Sequence, residues 1–67
     1  MSKDELIKRA KYNGMMSAKC NFEHDHRTGK TYSENTKDLA RSYSMFKDEI
    51  YDAHNAAYAE FSRTHKH

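Results

Sequence analysis

Apolar side chains recur along this chain at helical spacing in two places, with a polar stretch between them. Near the start, Leu6, Ile7 and Ala10 form a short stripe. Ser2 followed by Glu5 fits a capping box, in which the Ser hydroxyl accepts from the N3 amide. A first helix is expected over about 3–13, with Asp4 and Glu5 at the positive end of its dipole and Lys8, Arg9 and Lys11 toward the other. Asn13 and Gly14 read as its C-terminal cap, because glycine takes the left-handed conformation at little cost. The competing reading carries the helix on to Lys19 and uses Ile7, Ala10, Gly14 and Ala18 as a small-residue groove for close helix contact. From about 20 to 35 the large apolar residues lose helical period. Asn, Asp, Thr, Gly and Ser punctuate the stretch, so a loop is expected, either irregular or a small hairpin turning at Thr28 and Gly29. From Thr36 onward no Gly or Pro intervenes, and Asn35 can cap. One long helix is expected over about 36–63. Its seam runs Leu39, Tyr43, Phe46, Ile50, Ala53, Ala57, in alternating steps of four and three. A neighbouring row of Tyr51, His54, Tyr58, Phe61 and His65 widens this into one broad amphipathic face, opposite Lys37, Arg41, Asp48, Asp52 and Glu60.

The fold class that follows is all-α: a helical hairpin in one small domain over 1–67. Leu and Ile contribute only Leu6, Ile7, Leu39 and Ile50, and there is no Val, so aromatic residues and methionines carry most of the burial. A chain of 67 residues hides only about 60% of its unfolded surface. The short first helix has too few large groups to cover the broad face of the second. Self-association into a dimer, or docking on a larger protein, is therefore expected, with Tyr43, Phe46, Ile50, Tyr51, His54, Tyr58 and Phe61 as the contact set. The competing reading packs the same rings inside the monomer.

Charge refines this picture. Twelve Lys and Arg oppose ten Asp and Glu, a net +2, and the basic excess lies in the first thirty residues. Lys8, Arg9, Lys11, Lys19, Arg27 and Lys30 form the alternative site, a basic surface for nucleic-acid phosphates, with Tyr12 and Tyr32 available to stack on bases. A single cysteine, Cys20, rules out an internal disulfide and favours a reducing compartment. The opening MSKDELIKRAK has no uninterrupted apolar run, so neither a signal peptide nor a membrane span is expected, and the localisation expected is cytoplasmic. Cys20, His24 and His26 have ligand chemistry in C-x3-H-x-H spacing, and His54, His65 or His67 could add a fourth donor. The second close pair of a structural zinc site is missing, so a solvated loop is the preferred reading and no metal or cofactor is expected.

The segment Glu23-His24-Asp25-His26-Arg27-Thr28-Gly29-Lys30 resembles the DHDHxTGK stretch of recombination endonuclease VII type nucleases of the His-Me finger class. The resemblance implies a metal-binding carboxylate at Glu23 and a general base at His24. It covers eight residues. Cys20 stands alone where that family has two cysteine pairs, and Asn35 and Asn55 fall too early and too late for its helical asparagine. Cys20 and His24 in a polar segment also lack the enclosing pocket that nucleophilic catalysis requires. The expected function is non-enzymatic: a small protein-binding module, a regulator or inhibitor, that docks an aromatic helix face on a larger protein.

Overall fold

The computed structural model describes residues 1–65. They form three α-helices: α1, Lys3–Phe22; α2, His26–Ser42; and α3, Lys47–Thr64. A 3-10 turn, Ser44–Phe46, joins the last two. The all-α expectation holds, but the element boundaries differ from those read in the sequence at three points.

The first is Gly14, which does not end α1. Ser2 caps the helix as expected, its Oγ accepting from the Glu5 amide at 3.3 Å, and the helix then continues for 20 residues. A mid-helix glycine costs about 1 kcal/mol relative to alanine. Here it lets the α3 backbone approach so closely that a Cβ on Gly14 would sit 2.0 Å from the His54 carbonyl oxygen. The small-residue groove is thus the reading the structure adopts, and Ala10, Gly14, Ser17 and Ala18 are all buried.

The second difference is the expected loop over 20–35, most of which is helix. Its apolar count is low because the face of α2 that meets its neighbours is small and hydroxylic. Gly29, Ser33, Thr36 and Ala40 recur in steps of four, three and four, and Gly29, Thr36 and Ala40 are buried. Asn35, expected as a cap, lies inside α2, and the N-cap is Asp25, whose carboxylate accepts from the Thr28 amide at 3.4 Å. The α1–α2 turn is a Schellman motif. The Asp25 amide donates to the Cys20 carbonyl at 2.7 Å and the His24 amide to Asn21 at 3.2 Å, while His24 takes the left-handed φ of 66°.

The third is the break at Tyr43 in the expected long helix. Ser42 and Ser44 flank the break, and serine offers the backbone competing hydrogen bonds. Packing supplies the larger reason. A helix of 20 residues spans about 30 Å, so α1 could cover only part of a straight helix from 26 to 64. Folding at Tyr43 lays both segments against α1. The core then gathers Leu6 and Ala10 of α1, Ala40 of α2, and Ile50 and Ala53 of α3, with Ile7, Leu39, Tyr43, Phe46 and Tyr51 packed around them.

Polar side-chain contacts tie the bundle together. Ser17 Oγ donates to the Gly29 carbonyl at 3.2 Å and lies 3.0 Å from Ser33 Oγ. Asn21 joins all three helices, its Nδ2 donating to Tyr58 Oη at 2.8 Å and its Oδ1 meeting His26 Nδ1 at 3.1 Å. Thr36 Oγ1 and His54 Nδ1 are 2.7 Å apart between α2 and α3.

Candidate functional site

Between α1 and α3 runs a groove of about 390 Å³ lined by Lys11, Tyr12, Met15, Ala57, Glu60, Phe61 and Thr64. Its floor is apolar. Tyr12 and Met15 are 47% and 41% exposed, a large share for such residues in the middle of a packed helix. Lys11 stands on the α1 wall and Glu60 on the α3 wall. At one end His65 stacks on Phe61, with ring centroids 3.9 Å apart and planes 3° from parallel, and Phe22 meets the edge of His65 at 6.1 Å.

On the opposite flank of α1, facing α2, a larger cavity of about 460 Å³ is lined by Arg9, Tyr12, Asn13, Asn35, Asp38, Leu39 and Ser42. Tyr12 forms the ridge between the two depressions, its ring tilted against Tyr32 at 5.9 Å. The contact with Tyr12, followed by burial, raises the Tyr32 phenol above its ordinary value. A third depression, about 340 Å³, separates α2 from α3, with Lys37, Arg41, Lys47 and Tyr51 on its walls.

The expected contact set divides in this fold. Ile50 is fully buried and His54 is 8% exposed, so neither offers a surface. The partner of His54 is the Thr36 hydroxyl, 2.7 Å from its Nδ1. Burial lowers its pKa below the usual imidazole value. Tyr43, Phe46 and Tyr51 are half-buried against the core, with Lys3 Nζ 5.7 Å over the Phe46 ring. Tyr58 is held by Asn21. Phe61 alone of the set lines the α1/α3 groove.

The alternative set, Lys8, Arg9, Lys11, Lys19, Arg27 and Lys30, is exposed throughout on α1 and α2. None of these is ion-paired; the one salt bridge among the described residues joins Arg41 and Asp38 at 3.5 Å.

The metal and nuclease residues do not assemble. Cys20 is buried in the last turn of α1, and its thiol is raised above the usual range by burial, then by Asp25 and Glu23. His24 and His26 are exposed, His24 in the α1–α2 turn and His26 at the start of α2, with rings edge-on at 6.2 Å. Among the described residues no group of three or more His, Cys, Asp or Glu could hold a metal ion; His67 lies outside them. Glu23 and His24 cap α1, and Gly29 packs on Ser17, Cys20 and Asn21. The eight-residue likeness therefore falls on the α1–α2 turn and the first residues of α2, with no strand among the described residues.

No known protein family, no curated protein and no solved structure matches the chain. Among the described residues no helix is long and apolar enough to cross a membrane.

The sequence reading does not single out Met15 for the groove or Asn13 for the cavity, and it places Ala57 only in the seam of the long helix. The signal was present in α1 read at full length: Tyr12, Met15 and Lys19 share its outer face with Lys8, which a helix ending at Gly14 cannot show.

Proposed function

We propose that this chain is a non-catalytic protein-binding module, a regulator or inhibitor acting in a reducing intracellular compartment, that receives an amphipathic helix of a larger protein. The observation that carries this reading is the α1/α3 groove, where Tyr12, Met15, Ala57 and Phe61 form an apolar floor between a basic wall, Lys11, and an acidic one, Glu60. Helices dock in such grooves through anchors at i, i+3, i+4 and i+7. The two walls ask for an acidic flank on one side of the incoming helix and a basic flank on the other. Aromatic and methionine side chains are the types enriched at such interfaces.

The test is photo-crosslinking from position 15 in the native host, followed by peptide mapping. The expected product is one protein cross-linked through an amphipathic helical segment. Met15→Glu should weaken capture by roughly thirtyfold, the loss expected for a hot spot of about 2 kcal/mol, whereas Lys19→Glu leaves it intact. Equal capture by Met15→Glu and wild type refutes the reading, as does a cross-link to a second copy of this chain.

A second reading has its own support: the six exposed, unpaired basic side chains of α1 and α2 suit phosphate contacts. Reversing charge at Lys8, Arg9 and Lys11 while partner capture persists separates the two.

A further inference from the structure

The α1/α2 cavity holds a polar group that the fold itself does not use. Asn13 is 9% exposed and its side chain makes no hydrogen bond among the described residues. A buried carboxamide without a partner is costly. No fully sealed side-chain nitrogen or oxygen lacks a partner, so the Asn13 amide keeps its remaining contact with solvent through the cavity it lines. Across the cavity, α2 presents a second carboxamide, Asn35. The volume, about 460 Å³, lies within the roughly 300–1,000 Å³ typical of small-ligand sites.

The lining restricts the ligand. Asp38 pairs with Arg41 at 3.5 Å, while Arg9, the cation of the lining, forms no ion pair among the described residues and is available to an anion. A carboxamide offers a donor and an acceptor side by side, the pattern that pairs asparagine with the N6 and N7 edge of adenine. At the rim the exposed Tyr12 ring, steadied by Tyr32 at 5.9 Å, supplies a stacking platform, and Leu39 supplies an apolar wall. From these features we infer that the cavity binds an adenine nucleotide, with the base edge on Asn13 and Asn35, the base face on Tyr12, and the phosphate on Arg9. The ligand is a free nucleotide or one residue of a single strand. This site shares Tyr12 with the α1/α3 groove but is otherwise lined by different residues, and it does not depend on a partner helix docking there.

The test is an amide-shift NMR titration of the full chain with adenosine monophosphate and, in parallel, with an oligoadenylate of about eight nucleotides, within the usual single-strand site range. Shifts should centre on Arg9, Asn13, Asn35, Leu39 and Ser42. Asn13→Leu removes the amide at similar volume and breaks no hydrogen bond, so its melting temperature should not fall, whereas nucleotide affinity should drop by at least about tenfold. Arg9→Ala should erase the preference for the monophosphate over adenosine, and Met15→Glu should leave binding unchanged. A strand that binds more tightly than the monophosphate, and less tightly as salt rises, identifies nucleic acid as the source; equal affinities identify the free nucleotide. The inference is overturned by absent shifts, by shifts confined to the α1/α3 groove, or by an Asn13→Leu protein that melts lower yet binds as wild type does.

Discussion

Replacing Gly14 by alanine sets two effects of known size against each other. In an exposed helix the change is favourable by about 1 kcal/mol, because alanine loses less backbone entropy. Here the added Cβ would lie 2.0 Å from the His54 carbonyl oxygen, 2.8 Å from its carbon and 3.0 Å from its Cα, all backbone atoms that no rotamer change can move. Ordinary contact begins near 3.4 Å, so α1 and α3 must part by more than an ångström. That movement opens the layer containing Leu6, Ala10, Ile50 and Ala53. Overpacking of this kind costs about 3 kcal/mol at the upper end of its usual range, so a net loss of about 2 kcal/mol remains after the propensity gain. For a domain of this size that corresponds to a melting point lower by about 8–16 °C. Thermal and urea unfolding followed by circular dichroism at the helical minimum measure it, with Ser62→Ala on the exposed face of α3 as the propensity control. If Gly14→Ala melts at or above the wild-type temperature, the close crossing of α1 on α3 is wrong.

Two further outcomes follow from the polar contacts between helices. Burial lowers the His54 pKa, so the unfolded chain binds the proton more readily than the folded one. Stability is therefore complete above the unfolded value of about 6.5 and declines as pH falls from there through the folded value; melting curves between pH 8 and 5 should show this decline, and His54→Gln should flatten it. An unchanged slope in that variant would assign the pH dependence elsewhere. Asn21→Ala strips Tyr58 and His26 of a shared partner and should cost about 1–2 kcal/mol. In a double-mutant cycle with Tyr58→Phe the coupling should be about 0.5–1.5 kcal/mol, and additive losses would show that the Asn21–Tyr58 bond contributes nothing in solution.

The candidate site was only partly legible in the sequence. Phe61 stands out in the sequence for its place in an aromatic row, and it lines a groove. His54 belongs to the same row and Ile50 to the adjoining seam, yet both are buried, because residues along one broad face meet different neighbours. Periodicity places residues on a face; it does not say which other helix lies over that face. Charge and stacking point to Arg9 and Tyr12 in the sequence, but their convergence with Asn13 and Asn35 needs α2 beside α1, where the sequence pattern predicts mostly a loop. The C-x3-H-x-H spacing puts three candidate ligands close together along the chain. The Schellman turn instead places Cys20 inside and the two histidines outside.

Local chemistry determined the helical class, the Ser2 cap and the amphipathic character of the C-terminal half, because capping and periodicity act over distances that neighbouring residues span. Tertiary structure decided where helices end, and through that how much apolar surface is left over. The sequence tally of large side chains suggested a face that a short first helix could not cover. The folded chain answers with small residues: Ala10, Gly14, Ser17, Gly29, Ala40 and Ala53 let three backbones approach, so that main chain and hydroxyl groups fill space a count of large side chains overlooks. Gly14 ends a helix when nothing lies against it and continues one when another backbone does, and only the arrangement in space distinguishes the two.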